Sequence, residues 1–264
     1  MKKLSKQERA IWMDRSVQRY NVPQFVENDP LSIPASFSEK KDQEISGFFT
    51  AVMTWGLRKT VINKSKELMS RMDNAPYHFI MQAEESDLKA LEGFKHRTFQ
   101  PTDVLYFVHF LKEHYSRYES LEAAFTLEWN AEDVNALEKG LINFHNYMFS
   151  LEFAPHRTKK HVATPARRST CKRLNMMMRW FVRRDDRGVD LGIWRKIKPS
   201  QLFIPLDVHV DRIARDLGII KRKSTDWETV KELTEYCRKL DPVDPGKYDF
   251  ALFGYGLEKK YGYF

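Results

Sequence analysis

The chain has 264 residues, 42% of them hydrophobic, which is enough for a sizeable core in one or two domains. Its two cysteines, Cys171 and Cys237, are too few for a disulfide scaffold, a four-cysteine zinc site or an all-cysteine iron–sulfur cluster. The formal net charge of +8 favours an anionic partner, and the lack of a long apolar run or signal-peptide core predicts a soluble cytoplasmic protein with no membrane partner.

Apolar residues recur at helical spacing along most of the chain. The first such stretch contains Ile45, Phe48, Phe49 and Val52, and further stretches follow at 61–69, 121–125 and 134–149. Asp103 is in position to cap a helix that continues through Tyr115. Strand-like alternation is scarce, and no Asn-Gly or Asp-Gly hairpin turn occurs. The pattern therefore predicts a mainly α fold of about ten short helices.

The positive charge is concentrated in one segment. Between His156 and Arg187 there are eleven Lys or Arg and two Asp, a net charge of +9, whereas the remaining chain has a net charge of −1. Lys and Arg clusters gain free energy by displacing the counterions of phosphates, so this segment predicts a polyanion-binding face. A solvated helix face is the alternative. Apolar residues within the segment indicate that it is folded and not a tail.

Residues 169–181 form the first segment that carries chemistry. Ser169 or Thr170 can cap a helix whose buried stripe is Leu174, Met177, Met178 and Phe181, with Lys172, Asn175, Met176, Arg179 and Arg183 on a different side. Lys172 falls in the first turn, where neighbouring cations, the helix dipole and burial all lower the pKa of an amine. This makes Lys172 a candidate nucleophile. A surface lysine that binds phosphate is the alternative.

The second segment runs from Ile204 to Gly218. Asp207 occupies the N-cap position of a helix that Gly218 ends, and the role of a cap alone can account for this aspartate. His209 is expected to be structural.

These two segments together resemble the helix-hairpin-helix DNA glycosylase superfamily. The similarity lies in Leu206-Asp207-Val208-His209-Val210, in the Arg212-Ile213 pair that follows, and in Arg215-x-Leu217-Gly218. Lys172-Arg173-Leu174-Asn175 resembles the helix that carries the catalytic lysine in the archaeal 8-oxoguanine glycosylase/lyase branch. The segments 94–99 and 247–254 are similar to those of a related bacterial family of uncharacterised proteins. The resemblance covers roughly residues 40–260.

The resemblance implies a role for individual residues. Lys172 would form the Schiff base and Asp207 would be the catalytic aspartate. The pocket for the flipped base would contain Asp249, Phe253, Met176, Arg179 and Trp55, the last reaching it from the first long helix. Packing in the core is the alternative for Trp55. The DNA backbone would be contacted by Arg157, Lys159, Lys160, Arg167, Arg168 and Arg173.

The resemblance also implies an architecture and a function. We expect a mainly α, two-lobed, helix-hairpin-helix glycosylase-like fold, with a central bundle at 40–175 and a second lobe formed by 1–39 and 176–264. The expected activity is that of a DNA glycosylase/AP lyase that excises an oxidised purine, 8-oxoguanine, from double-stranded DNA. Such a protein would act as a nucleoid-associated monomer without a metal or other cofactor. The alternative is a non-catalytic DNA- or RNA-binding protein on the same scaffold.

Two departures from the superfamily pattern are evident. The glycine-rich hairpin Leu-Pro-Gly-Val-Gly is absent, and Pro165-Ala166-Arg167-Arg168-Ser169-Thr170 stands in its place. The stretch between Lys172 and Asp207 is long, so we expect an insertion around 185–201 to loop out.

Overall fold

The computed structural model describes residues 4–262, and within that range the chain is mainly helical and contains no β-strand. The predicted mainly α fold is therefore confirmed. The α-helices are α1 (Lys6–Tyr20), α2 (Gln24–Glu27), α3 (Ser32–Ala35), α4 (Lys40–Val52), α5 (Arg58–Ser70), α6 (Pro76–Gln82), α7 (Glu85–Glu92), α8 (Pro101–Tyr115), α9 (Glu122–Phe125), α10 (Ala136–Met148), α11 (Lys172–Val182), α12 (Val208–Asp216), α13 (Trp227–Leu240) and α14 (Tyr248–Tyr261). Short 3-10 helices lie at His156–His161, Pro165–Arg167, Pro199–Gln201 and Pro245–Lys247. None of the helices in the described range is long and apolar enough to cross a membrane.

The chain divides into two compact units. Unit 1 contains the residues up to Val26, the stretch Ala131–Leu137 and the residues from Thr164 onward, and unit 2 contains Glu27–Asn130 and Glu138–Ala163. The sequence-based division placed the boundaries at 39/40 and 175/176, whereas the structure places them at 26/27 and 163/164. The whole of α11 belongs to unit 1 because the side chains of its second half contact residues that follow it in the chain.

Aromatic side chains form the core of unit 2. The ring of Phe48 on α4 lies 5.3 Å from that of Phe107 on α8 and 5.9 Å from that of Phe144 on α10. Phe125 stacks on Phe144 at 4.0 Å, and all four side chains are fully buried. The spacing of its apolar residues predicted the α4 helix, and every residue of α4 from Glu44 to Val52 is buried, so this part of the helix is enclosed on all sides.

In unit 1, α14 packs against both α1 and α12. Two glycines of α14 make this close approach possible. A Cβ at Gly254 would lie 2.5 Å from Cγ of Tyr20, and a Cβ at Gly256 would lie 2.9 Å from Cβ of His209. The result is that α12, which follows Asp207, is held against the middle of α14.

The structure corrects two predicted helix caps. Gln100 is the N-cap of α8, and Asp103 is its third residue, where it accepts a bond from the Gln100 amide at 2.8 Å in a capping box. The N-cap of α11 is Cys171, with a left-handed φ of 48° and no capping side-chain bond, so neither Ser169 nor Thr170 caps this helix. Ser169 instead accepts a bond from the Cys171 amide at 3.2 Å.

The segment after α11 also differs from its prediction. It folds back on α11 and does not loop out. The amides of Leu191 and Trp194 donate to the carbonyls of Trp180 and Phe181, both at 2.8 Å. Trp194 is fully buried, with its ring 5.0 Å from that of Phe181. Burying a large aromatic side chain stabilises this return of the chain, a long-range effect that helical periodicity does not register.

Candidate functional site

Lys172 is the first residue of α11 and is half-buried. Met176 and Arg179 lie four and seven residues further on, which places all three on one side of the helix. Met176 is also half-buried, whereas Arg179 is 3% exposed. This side of α11 therefore runs from a partly exposed amine inward to a buried guanidinium.

Asp207 is the N-cap of α12, as the sequence predicted. Its carboxylate accepts hydrogen bonds from the amides of His209 and Val210, both at 2.8 Å. The helix ends at Asp216, with Leu217 as its C-cap and then Gly218 with a φ of 68°, so the predicted glycine terminator is also confirmed. Asp207 is half-buried and Val208 beside it is 78% exposed. The carboxylate is thus fixed by the backbone at a place that solvent can reach.

Asp249 on α14 connects these two segments. Its Oδ2 accepts a hydrogen bond from Nη1 of Arg179 at 2.5 Å, and the residue is 4% exposed. Burial raises the pKa of Asp249 to about 6; the Arg179 guanidinium opposes this shift, and the negative charge of Asp207 adds to it. Asp249 is therefore bonded to α11 and lies within electrostatic range of Asp207.

Arg179 and Arg183 belong to a buried ionic network that the sequence analysis missed. Asp190 accepts from both arginines at 3.2 Å, and Asp244 accepts from Nε of Arg183 at 2.9 Å. Arg183 also lies 2.8 Å from Asp185. Both guanidiniums flank the Phe250 ring, at 4.2 and 5.2 Å from its centre.

This network changes the interpretation of α11. The sequence placed Asn175, Arg179 and Arg183 on a side away from the buried stripe, but all three are buried, so α11 is enclosed almost all round. The sequence offered one sign of this burial: two arginines four residues apart among apolar neighbours. Asp190 and Asp244, two of the carboxylates that meet them, lie in a coil segment and at the start of a 3-10 turn, where sequence pattern gave no indication.

Phe253 lies one turn beyond Asp249 on α14 and is half-buried. Its ring centre is 6.0 Å from that of His209, in an edge-to-face arrangement, and 6.1 Å from that of Phe25. Burial lowers the pKa of His209, which favours a neutral imidazole, and its Nδ1 makes no hydrogen bond within the described part of the chain. Asp249 and Phe253 thus share the side of α14 that faces the start of α12.

Trp55 belongs to unit 2 and lies beyond the end of α4, not on that helix as the sequence suggested. Its ring stacks on that of His161 at 5.6 Å and lies 5.1 Å from that of His96. His161 in turn contacts Asp103 at 3.3 Å. These contacts show a packing role for Trp55 within unit 2.

The predicted DNA-backbone residues have different surroundings. Arg157, Lys159 and Lys160 lie on the 3-10 helix of unit 2, where Arg157 bonds to Asp103 at 2.5 Å and Lys160 is exposed. In unit 1, Arg167 is exposed, and Arg168 bonds to Asp226 at 3.0 Å while its side chain stays 76% exposed. Arg173 is half-buried, and burial lowers the pKa of its guanidinium.

The basic segment is therefore less basic at the surface than its composition suggests. Arg179 and Arg183 are 3% and 2% exposed and cannot contact a phosphate backbone. Arg184 donates to the carbonyls of Gly192 and Trp194. Among the exposed cations of this segment, Lys160 lies on the 3-10 helix of unit 2, and Arg167 and Arg168 lie at the 3-10 helix of unit 1.

Within residues 4–262, no group of three or more His, Cys, Asp or Glu side chains is arranged to hold a metal ion. The candidate residues Lys172, Asp207, Asp249 and Phe253 supply an amine, two carboxylates and an aromatic ring, which are groups that suit proton transfer and nucleophilic chemistry.

Comparison with known proteins gives a family. No curated protein and no solved structure matches this chain. One family model matches residues 29–258, which is most of the chain and contains every candidate site residue. The chain belongs to the family described as protein of unknown function DUF2400.

Proposed function

We propose that this protein is a DNA glycosylase with AP lyase activity, on a helix-hairpin-helix glycosylase-like scaffold, that removes an oxidised purine such as 8-oxoguanine from DNA. The observation that carries the proposal is the connection between the two candidate catalytic segments. Lys172 opens the helix whose Arg179 bonds to Asp249 on α14, and α14 packs against α12, the helix that Asp207 caps. Lys172 and Asp207, which are 35 positions apart in sequence, therefore belong to the same compact unit.

The geometry of α11 supports Lys172 as the nucleophile. Seven residues of an α-helix span about 10 Å, so Lys172 lies about two turns from the Arg179–Asp249 contact and on the same side of the helix. A half-buried lysine at a helix N-terminus is disfavoured as an ammonium ion by burial and by the helix dipole. Both effects favour the neutral amine that attack on a sugar carbon requires.

The proposed reaction begins when the damaged nucleotide leaves the duplex, at a cost of a few kcal/mol. The neutral amine of Lys172 attacks C1′ of the sugar, and the bond from C1′ to the base nitrogen breaks. The base departs with the electron pair and takes up a proton. Asp207 stabilises the positive charge that develops on the sugar and accepts the proton that the nitrogen of Lys172 loses.

The lyase step follows from the same adduct. The nitrogen of Lys172 then forms a double bond to C1′ while the C1′–O4′ bond breaks and O4′ takes the proton from Asp207, which gives a protonated Schiff base. Asp207, again a carboxylate, accepts a proton from C2′, and the electron pair of that C–H bond expels the 3′ phosphate, which breaks the strand. Water hydrolyses the Schiff base to free the lysine. Each bond formed is balanced by one broken, and no cofactor takes part.

Asp249 offers a means to recognise the lesion. Arg179 occupies Oδ2, which leaves Oδ1 to accept a hydrogen bond. In 8-oxoguanine N7 carries a hydrogen, whereas N7 of guanine is an acceptor, so an ionised Asp249 would attract the first and repel the second. A site built around one added donor can discriminate strongly between substrates.

Borohydride trapping of the Schiff base tests this proposal. Wild-type protein should be trapped on an oligonucleotide that contains a single 8-oxoguanine, and Lys172→Gln should abolish both trapping and strand cleavage. Asp207→Asn should also abolish cleavage, although asparagine caps a helix about as well as aspartate, so the fold is expected to remain. Lys239→Gln, at an exposed position on α13 of the same unit, is the matched control and should be trapped like the wild type.

A set of oligonucleotides with other single lesions extends the test to the substrate. If wild-type protein neither releases a base nor is trapped on any of them, the proposal is wrong. Base release without trapping would instead indicate a glycosylase that lacks the lyase step.

One observation favours a second candidate function, that of a non-catalytic nucleic-acid-binding protein. The Arg179 guanidinium already occupies Asp249, the residue that would recognise the base, within a buried network. Such a protein would bind DNA or RNA without releasing a base, and the Lys172→Gln substitution would leave its only activity unchanged.

A further inference from the structure

Phe153 in unit 2 has an unusual combination of exposure and backbone conformation. Its side chain is 81% exposed, and its φ is +63°. Among the described residues, the other non-glycine positions with positive φ hold polar or charged side chains or a buried cysteine; they are Asp73, Asn74, Arg97, Glu128, Arg168 and Cys171. A bulky apolar residue in the left-handed region is strained, and here burial does not compensate for that strain.

The structure holds the loop around Phe153 at both ends. Before the loop, the Phe149 ring stacks on that of Tyr106 at 5.8 Å, with the ring planes 8° apart. After the loop, the buried Asp103 accepts from Arg157 at 2.5 Å and from Thr158 at 2.7 Å. Phe153 therefore projects from a fixed support and not from a loose chain end.

Hydrogen bonding makes this support strong near neutral pH. Burial opposes ionisation of Asp103, but the nearby His161 ring and the bonds from the Thr158 hydroxyl and the Gln100 amide outweigh it and lower the pKa of this carboxyl to about 2. Asp103 therefore stays ionised near neutral pH and continues to accept the hydrogen bonds from Arg157 and Thr158.

The sequence on either side of Phe153 is basic. Residues 150–161 contain three Lys or Arg and one acidic residue, Glu152. Lys160 is exposed, and Nζ of Lys159 lies 5.9 Å from the centre of the Phe149 ring. Exposed aromatic rings with lysines beside them are typical of surfaces that bind unpaired nucleotides, because the ring stacks on a base while the cations contact the phosphates.

We propose that Phe153 stacks on an unpaired nucleic-acid base, with Lys159 and Lys160 on the adjoining phosphates. The identity of the nucleic acid as DNA rests on the proposed function; the stacking contact itself does not depend on chemistry at Lys172. The contact would favour DNA with an unpaired or extruded base over an intact duplex, since only such a base offers its face.

The test uses fluorescence anisotropy to compare the affinities of the wild type and of Phe153 variants for a fluorescein-labelled single-stranded oligothymidylate. Phe153→Asn should weaken binding by roughly five- to a hundredfold, whereas Phe153→Tyr, which keeps a ring, should stay within about twofold of wild type. Asparagine tolerates the left-handed region better than phenylalanine, so the melting temperature of Phe153→Asn should be no lower than that of wild type. Lower affinity without lower stability is a result that a purely structural role cannot give.

Val243→Asn is the matched control, because Val243 is a 72% exposed apolar residue in unit 1, and its substitution should leave affinity unchanged. Equal binding of the single strand by wild type and Phe153→Asn would overturn the proposal, and so would an equal loss of heparin binding, because heparin has no base to stack on. Loss of binding to phospholipid vesicles with unchanged binding to DNA would also overturn the proposal. A wild type that binds through Phe153 but is never trapped would refute the lyase proposal alone.

Discussion

The surroundings of Asp249 bring the change between its protonated and ionised forms into an accessible pH range. Burial raises its pKa to about 6, although Arg179 bonds to it directly. Asp190 is shared by the same arginine and its pKa is also raised by burial. In the network around Arg179 and Arg183 the carboxylates outnumber the guanidiniums, so a net negative charge remains. Protonation of one carboxylate would reduce that negative charge.

We expect this carboxyl to make stability depend on pH. Because the folded pKa lies above the unfolded value of 3.8, the protonated form is favoured by folding. The contribution to stability is complete below about pH 4 and is lost as pH rises through about 6, a decrease of about 3 kcal/mol for a shift of this size. Urea unfolding of wild type and Asp249→Asn between these limits measures it, since the variant lacks this decrease.

The difference in unfolding free energy between wild type and Asp249→Asn is the quantity to follow, because other titrating groups cancel in it. Asp186→Asn is the control: its side chain is 96% exposed, and its difference from wild type should stay nearly constant. A constant difference for Asp249→Asn as well would show that this carboxyl is not held away from water. Under the proposed function, cleavage of 8-oxoguanine should rise with pH through the same range, because only ionised Asp249 can accept the N7 hydrogen.

At the scale of elements, the contact between α1 and α14 depends on the absence of a side chain at Gly254. Tyr20 is 1% exposed, and its hydroxyl donates to Glu258 one turn beyond Gly254. The ring is therefore held on both its face and its hydroxyl end. Since α14 also packs against α12, this contact supports the helix that Asp207 begins.

We expect Gly254→Ala to destabilise the protein by about 1–2 kcal/mol, because overpacking costs about 1–3 kcal/mol and alanine recovers up to about 1 through helix propensity. The new methyl group would lie 2.5 Å from the Tyr20 ring, too close for any contact. Gly93→Ala is the control, because its nearest neighbour is the end of the Arg71 side chain at 3.4 Å. Thermal unfolding of both variants checks the expectation, which fails if Gly254→Ala is as stable as Gly93→Ala.

The elements also show how far sequence can predict this molecule. Asp207 and Gly218 were predictable because each acts on backbone within a few residues of itself. The α4 helix was predictable because its apolar side chains recur at the helical period, although all of its residues from Glu44 to Val52 are buried. The bond between Arg179 and Asp249 joins residues 70 positions apart, and the contact of Asp103 with Arg157 joins residues 54 apart. Which carboxylate meets which arginine depends on packing, and no local pattern encodes it.

At the scale of the whole molecule, the same limit applies to charge. The net charge of +8 is a property of the sequence, but the surface that a polyanion meets depends on which cations are already paired. Burial of Arg179 and Arg183 with aspartates removes two of the eleven cations in the basic segment from the surface. Lys160 and Arg167 are exposed members of that segment and remain available to solvent.

We expect these two residues to contribute to the salt dependence of DNA binding. For double-stranded DNA the logarithm of the affinity falls with the logarithm of the salt concentration by about 0.9 for each phosphate neutralised. Lys160→Ala and Arg167→Ala should each reduce that slope by about one while weakening binding equally for all sequences. Lys239→Ala, an exposed cation outside the segment, should leave the slope unchanged. Titration of an undamaged duplex at several salt concentrations measures the slope for each of the three variants. An equal slope for the wild type, Lys160→Ala and Arg167→Ala would show that neither residue contacts a phosphate and would contradict the expectation.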